Sequence, residues 1–355
     1  MKKLRDLGEL ELVELINKKI EIGTQCSGRE MLTLVKASGD DAAVLKISDT
    51  TSLLISKDLL IERIHFLKEN IIPKQLAQKA LAVNISDIAA MGGKPGWVLI
   101  GFAGPGDTSL SFITDLYDAF MEVCAFYGLK IIGGDTSSSP GPIVLSITIV
   151  GLMSTNKIIY RSGAQEGDRI MVSGILGGAR IGLSLLQEMK KHEEHKEKDS
   201  MMREVKNRLI QRHYAPTPRV DIGTLLAENE LATAMIDVSD GLIQDLGHMC
   251  RLSHVGAVIK KNDVPVDPDV ITLGDVSGED PYDAALRGGE DYELLFTVTE
   301  EKKSFVQRFI FEKTGNKITD IGYIIPSALN EIKIEDKRGQ YCGALYKGFD
   351  HFKGK

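Results

Sequence analysis

From residue 42 onward, short runs of β-forming apolar residues alternate with longer stretches of helical period, and this alternation constrains the fold most. Residues 42–47 and 52–56 read as strands joined by the polar turn Ser48-Asp49-Thr50. Pro73 then opens an alanine-rich helix running to about Met91, with proline where a first turn tolerates it. Trp97 to Phe102 reads as a strand, Phe112 to Phe126 as a helix and Ile143 to Leu152 as a strand. Such a chain stacks helices on sheets, which predicts α/β layers around an open sheet. Ahead of these elements, Leu7 to Lys19 carries Leu12, Leu15 and Ile16 at helical spacing, with glutamates on the other face.

A second block begins near Ile158. Asp168 to Ser173 predicts a strand, followed by Gly174, Gly177 and Gly178 and then a helix. That glycine cluster would either wrap a phosphate at a helix N-terminus or allow tight strand–helix packing. Residues 188–208 are mostly charged and read as a solvated helix, in which His192 and His195 form only a weak metal pair. A length of 355 residues favours two domains, here 1–155 and 156–355. The blocks share phrases: Asn84-Ile-Ser-Asp87 against Asp237-Val-Ser-Asp240, and Gly133-Gly-Asp135 against Gly288-Gly-Glu-Asp291. They read as two related α/β halves facing each other.

The net charge of −7 argues against a nucleic-acid backbone as the main partner. Cys26, Cys124, Cys250 and Cys342 lie far apart, as reduced thiols of a cytoplasmic protein would. No apolar leader opens the chain, and the apolar stretch Ile143 to Met153 is too short for a bilayer, so no membrane is expected.

Aspartates concentrate beside Gly, Ser or Asp at Gly39-Asp-Asp41, Ser56-Lys-Asp58, Ser86-Asp87, Gly133-Gly-Asp-Thr136 and Asp237-Val-Ser-Asp240. Each phrase alone is an ordinary turn former or helix cap. Asp87 is harder to dismiss, because Ala80, Asn84, Asp87 and Met91 fall on one helix stripe of small or apolar neighbours. A carboxylate there needs a partner, and Arg63 and Arg161 are candidates, but the surplus of acids favours a metal cation. Magnesium suits the set, since it takes oxygen ligands and is shared between carboxylates and phosphates. No G-x-x-x-x-G-K-[ST], H-R-D or D-F-G phrase occurs, which excludes a P-loop and argues against a protein-kinase site.

Longer phrases carry a resemblance. Gly39-Asp-Asp-Ala-Ala43, Ser56-Lys-Asp58 with His65-Phe66, Lys79-Ala-Leu-Ala-Val-Asn-Ile-Ser-Asp-Ile-Ala-Ala-Met-Gly92 and Gly133-Gly-Asp-Thr136 resemble the thiamine-monophosphate kinase family. So do Arg161-Ser-Gly-Ala164, Ala215-Pro-Thr-Pro-Arg219, Asp237-Val-Ser-Asp-Gly-Leu242, Gly288-Gly-Glu-Asp-Tyr-Glu-Leu294 and Lys347-Gly-Phe-Asp-His-Phe352, in order over nearly the whole chain. The resemblance implies the two-domain PurM-like fold of the aminoimidazole-ribonucleotide synthetase superfamily. Its N-terminal domain would pair its sheet across a homodimer, followed by a C-terminal α/β domain. It implies ATP and thiamine monophosphate as substrates and direct in-line transfer giving thiamine diphosphate, the last step of that cofactor's synthesis.

On the same basis Asp41, Ser56, Lys57, Asp58, Asp87, Asp135, Asp237 and Asp240 match positions that hold several Mg2+ ions. Gly134, Asp135, Arg161 and Ser239 match positions that touch ATP, and His65, Glu290 and Phe349 positions that face the thiamine substrate. Lys57 stands where the family usually has threonine; its carbonyl would meet a metal, while its ammonium would displace an ion or reach a phosphate. Read by themselves, Arg161 suits a phosphate or a salt bridge, and His65 and Phe349 suit either core packing or a ligand. No catalytic acid or base is implied, because the attacking phosphate oxygen is already ionised. The rival readings are a selenophosphate synthetase, for which Cys26 is a poor nucleophile candidate, a hydrogenase-maturation dehydratase, which would end in cysteine, and a non-catalytic nucleotide sensor.

Overall fold

The turn at residues 48–50 folds β2 (Ala43–Lys46) back on β3 (Thr51–Ile61), with Ile47 and Ser48 amides both donating to the Thr51 carbonyl. In the computed structural model, which describes residues 11–16, 18, 33–191, 200–277 and 280–343, β3 runs five residues past its expected end at 56. Ser52, Leu54, Ser56 and Leu60 are buried while Lys57 and Leu59 are exposed, the period of two that a half-covered strand requires. Ser56-Lys57-Asp58 therefore lies inside a strand and not at an element's edge.

β1 (Thr33–Lys36), β4 (Lys94–Gly104), β5 (Lys130–Ser138) and β6 (Val144–Ser154) complete a six-stranded sheet of order β1-β2-β3-β6-β4-β5. Only β4 and β5 pair in parallel, and the helix between them, α2 (Leu110–Tyr127), supplies the crossover that a parallel pair needs. Asp135 thus lies within β5, again not at an element's edge.

The alanine-rich helix α1 (Pro73–Ala90) does not have one apolar face. Thirteen of its residues are buried, including Lys79, Asn84 and Ser86. The reason is its position: α1 packs on β3, β6 and α2 on one side and on β8 and α5 of the second half on the other. A helix clamped between layers loses the solvent face that would have made it amphipathic.

The second half forms a seven-stranded sheet, β13-β12-β9-β11-β7-β10-β8. Its strands are β7 (Arg169–Ser173), β8 (Ala234–Asp237), β9 (Gly256–Lys260), β10 (Leu294–Val298), β11 (Ile318–Ile325), β12 (Ile332–Glu335) and β13 (Tyr341–Gly343). Helices α3 (Gly178–Lys191), α4 (Ser200–Tyr214), α5 (Val220–Glu228), α6 (Leu242–Ser253), α7 (Pro268–Ser277), α8 (Pro281–Arg287) and α9 (Lys303–Thr314) surround it. Every residue of β8 and β10 is buried, as expected of strands covered on both faces. One apolar cluster runs from Leu54 and Ile147 through α1 to Ile222 and Leu226 of α5 and Phe296 of β10, so the halves share a core.

The halves are related in a central unit. In each, the first and second strands flank the fourth, antiparallel to both: β3-β6-β4 and β7-β10-β8. The third strands differ, β5 lying beside β4 but β9 beyond β11. The shared phrases do not mark equivalent places. Asn84–Asp87 is inside α1, whereas Asp237 ends β8; Gly133–Asp135 is in β5, whereas residues 288–291 form a loop before β10.

Residues 11–16 are helical, while the rest of the helix expected over 7–19 lies outside the described residues, apart from Lys18. The charged stretch 188–208 falls on the end of α3 and the start of α4, with His192 and His195 outside the described residues. Among the described residues no helix is long and apolar enough to cross a membrane.

Candidate active site between the two sheets

Four elements deliver carboxylates to one point. Asp41 comes from the loop before β2, Asp58 from the inward face of β3, Asp87 from α1 and Asp237 from the end of β8. Asp41, Asp87 and Asp237 each bring an oxygen within 4.8 Å of the others. Hydroxyls fix their rotamers: Ser56 donates to Asp87 Oδ2 at 2.5 Å, and Ser86 donates to Asp237 Oδ2 at 2.6 Å. Ser56 also reaches Asn84 Oδ1 at 3.2 Å, so the stripe read from the sequence does place Asn84 behind Asp87.

The charge balance is unequal. Arg161 donates from Nε to Asp41 Oδ1 at 3.0 Å, and its backbone amide donates to Asp40 Oδ1 at 3.1 Å. Burial disfavours the guanidinium's charge, but Asp41, Asp237 and Asp40 together outweigh burial and hold it protonated. Arg63, the other candidate, lines the cleft but is not the group bonded to Asp87; that group is Ser56. Burial pushes the Asp87 carboxyl well above its ordinary range, and Asp58, Asp237 and Asp41 push it further. Burial and then Asp41 raise Asp237 to about 8. Asp41 Oδ2 and Asp237 Oδ1 are buried without a hydrogen-bond partner. Orphaned, all-oxygen donors in a cluster short of positive charge fit a hard divalent cation.

Asp58, Asp87, Asp237 and Asp240 line a cleft of about 1310 Å³, larger than the roughly 300–1,000 Å³ typical of a pocket for one small ligand. Two loops from the second half form its wall. Asp245, buried in the first turn of α6, accepts from the amides of Ser239, Asp240 and Gly241 at 3.0–3.1 Å and so fixes the 239–241 loop. The 288–292 loop is bonded to it, Glu290 amide to Ser239 carbonyl at 2.8 Å and Tyr292 amide to Val238 carbonyl at 2.9 Å. Gly289 has no alternative here, since a Cβ would sit 2.3 Å from the Ser239 carbonyl oxygen.

Of the positions singled out in the sequence, Asp41, Ser56, Asp58, Asp87, Asp237 and Arg161 converge. His65, Ser239, Asp240 and Glu290 line the same cleft. His65 Nδ1 accepts from the Ile61 amide at 3.0 Å, which locks the ring, and Asp240 Oδ2 accepts from Gln244 at 2.9 Å. Lys57 and Asp135 are not brought in. Ladder partners share a face, and Asp135, Gly101, Ser146 and Leu59 are successive partners across the sheet. Lys57 donates to Ser146 Oγ, so it occupies that same exposed face, opposite to Ser56 and Asp58. β5 is also three strand spacings from β3, roughly 14 Å. Gly134 has a packing reason to be glycine: a Cβ would lie 1.8 Å from the Ile100 carbonyl oxygen. Phe349 lies outside the described residues.

The glycine cluster at 174–178 holds an internal anion. Asp291 accepts from the amides of Gly177 and Ala179 at 2.7 and 3.2 Å, at the start of α3. This helix terminus therefore has its own carboxylate. Sequence reasoning passed over Asp245, His213 and the role of Lys79; the visible signals were an acid in a helix's first turn and a lysine inside an otherwise apolar helical run.

Comparison with known proteins places this geometry. The family model for the N-terminal domain of AIR synthase related proteins matches residues 39–153, and that for the C-terminal domain matches 165–335. The thiamine-monophosphate kinase of Buchnera aphidicola (subsp. Schizaphis graminum) is 39% identical over 324 residues, 90% of this chain and 93% of its own. That of Escherichia coli K12 is 37% identical over 314 residues, 88% and 91% of the two chains. Among solved structures, "AaThiL complexed with AMPPCP and TMP" superposes with a TM-score of 0.81 at 32% identity, covering 99% of each chain. A thiamine monophosphate kinase structure from Aquifex aeolicus gives a TM-score of 0.76 at 30% identity, covering 96% of this chain and 99% of its own. The chain belongs to the thiamine-monophosphate kinase family of AIR synthase related proteins.

Proposed function

We propose that this chain transfers the γ-phosphoryl group of ATP to the phosphate of thiamine monophosphate, giving ADP and thiamine diphosphate, the last step of thiamine diphosphate synthesis. The observation that carries the reading is the convergence of Asp41, Asp58, Asp87 and Asp237 at the wall of a cleft large enough for two substrates, in a family of which one solved structure holds AMPPCP and TMP. Their orphaned oxygens, with Ser56 and Asp240 nearby, would hold Mg2+, which when bound neutralises phosphate charge and lets two anions meet. The remaining work is positioning. Arg161 anchors Asp41 and has donors left over in its planar fork for a phosphate, and Ser239 lies on the rigid loop bonded to Asp245. No side chain need remove a proton, because the acceptor phosphate attacks as an anion and expels ADP in line.

His65, Glu290 and Phe349 are assigned to the thiamine end of the cleft, and Gly134 and Asp135 to ATP. Asp135 and the Lys57 side chain face away from the acids in a single chain, whereas Gly134 shares the face of Asp58 but lies three strands from it. We therefore read the exposed sheet face as covered in a homodimer; Leu59, Leu99 and Ile132 are exposed on β3, β4 and β5. Residues 1–155 and 156–355 are taken as the two domains, and the free Cys124, Cys250 and Cys342 fit a cytoplasmic enzyme. The test is incubation with Mg-ATP and thiamine monophosphate, with ADP and thiamine diphosphate separated by chromatography. ATP binding without product would overturn the assignment.

A further inference from the structure

Among the described residues, Lys79 is one of the large side chains that are fully buried, although it ends in an amino group. It lies on α1 of the first half and reaches Glu290 of the second half, Nζ to Oε1 at 2.9 Å. It also lies 3.2 Å from Nε2 of His213, on α4. His213, 3% exposed, places Nδ1 2.9 Å from the other oxygen of Glu290, off the line of a good hydrogen bond. One proton arrangement satisfies all three groups. The Lys79 ammonium donates to Glu290 and to His213 Nε2, and a neutral His213 with its proton on Nδ1 faces Glu290 Oε2. Burial, followed by the Lys79 charge, keeps the imidazole's pKa low, in agreement with that tautomer.

Glu290 is also held in an uncommon backbone state. Its φ is +67°, and Tyr292 two residues on has φ +50°. A non-glycine residue in this region has a conformational cost of order 1–3 kcal/mol and persists where the surroundings over-determine it. Here the surroundings are the bond to the Ser239 carbonyl and the two contacts to Lys79 and His213. Glu290 lines the cleft, and its side chain stays 27% exposed. A carboxylate has about four lone-pair sites, so Lys79 and His213 leave others free.

We propose that Lys79, supported by His213, is a positioning residue that orients Glu290 so that its remaining lone pairs accept from the amino group of the acceptor's aminopyrimidine ring. The inference rests on the proposed function and deepens it. Glu290 then reads the end of the acceptor remote from the phosphate, and the trio, neutral overall, presents an acceptor without adding net charge to an already acidic cleft. An oxo group in place of the amino group would be an acceptor facing an acceptor.

The experiment uses the full chain with Mg-ATP and two acceptors, thiamine monophosphate and its analogue with an oxo group in place of the ring amino group. Wild type should favour the amino compound in kcat/KM. Lys79→Met should raise the acceptor KM roughly 10- to 100-fold and shrink that preference, with the ATP KM unchanged. Because Lys79→Met strands a buried carboxylate, Lys79→Met with Glu290→Gln keeps the test available if the single variant misfolds. The double variant should fold and show no amino-over-oxo preference. An acceptor KM and a preference unchanged from wild type in either folded variant would overturn the inference. Absence of wild-type turnover with both acceptors would instead overturn the proposed function.

Discussion

Replacing Asp237 by asparagine separates the stability of the acidic cluster from its use. Folded Asp237 holds its proton up to a pH of about 8, against 3.8 for an ordinary aspartate, because burial and Asp41 disfavour the anion. A raised carboxylate pKa means that stability is fully present below 3.8 and is lost as pH rises toward 8. At about 1.36 kcal/mol per pH unit, the metal-free wild type should lose on the order of 2–4 kcal/mol by pH 7 through this group. Asparagine is nearly isosteric, can still accept from Ser86 and has no charge to bury. In EDTA at pH 7, Asp237→Asn should therefore melt several degrees above wild type, and the gap should close near pH 4. Adding Mg2+ should stabilise wild type far more than the variant, and the variant should lack kinase turnover. Thermal denaturation at several pH values with and without Mg2+ reads all of this. A variant less stable than wild type in EDTA, or a gap that ignores pH, would refute the electrostatic account of the cluster.

Asp87→Asn should lower kcat by on the order of 100-fold or more while the protein still melts cooperatively, because the side chain is tied to Ser56 and leaves no cavity; parental activity would remove Asp87 from the metal role. Gly134→Ala should destabilise by about 2–4 kcal/mol in denaturant melts, since its Cβ would meet the Ile100 carbonyl oxygen; a neutral result would show that β4 and β5 can separate freely. Asp291→Ala should cost about 1–3 kcal/mol by leaving the Gly177 and Ala179 amides without their acceptor, with the KM for ATP unchanged. A raised ATP KM there would show that this helix terminus meets the nucleotide after all.

Most of the acids that come together were legible in the sequence, because they travel in short Gly-, Ser- and Asp-containing phrases whose identity does not depend on the fold. The alternation of strands and helices was legible too, since each period reflects local burial. What lay beyond the sequence were the facing relations. A strand sends successive side chains to opposite faces, so Asp58 entered the cluster while its neighbour Lys57 was turned to Ser146 on the far side. The register that carries Asp135 to that same face is set by hydrogen bonds between strands remote in the chain. Arg161 suited a phosphate or a salt bridge equally until the fold set Asp41 against it. That α1 would be buried on both sides was not readable from its own period, because a second layer covers its other side, and that layer alone gives Lys79 its partners, Glu290 and His213. The sequence determined the chemistry on offer, and the tertiary structure decided which groups share a face and which buried charge meets which. Local patterns encode one element's burial period, whereas the meeting of two charges depends on every layer packed between them.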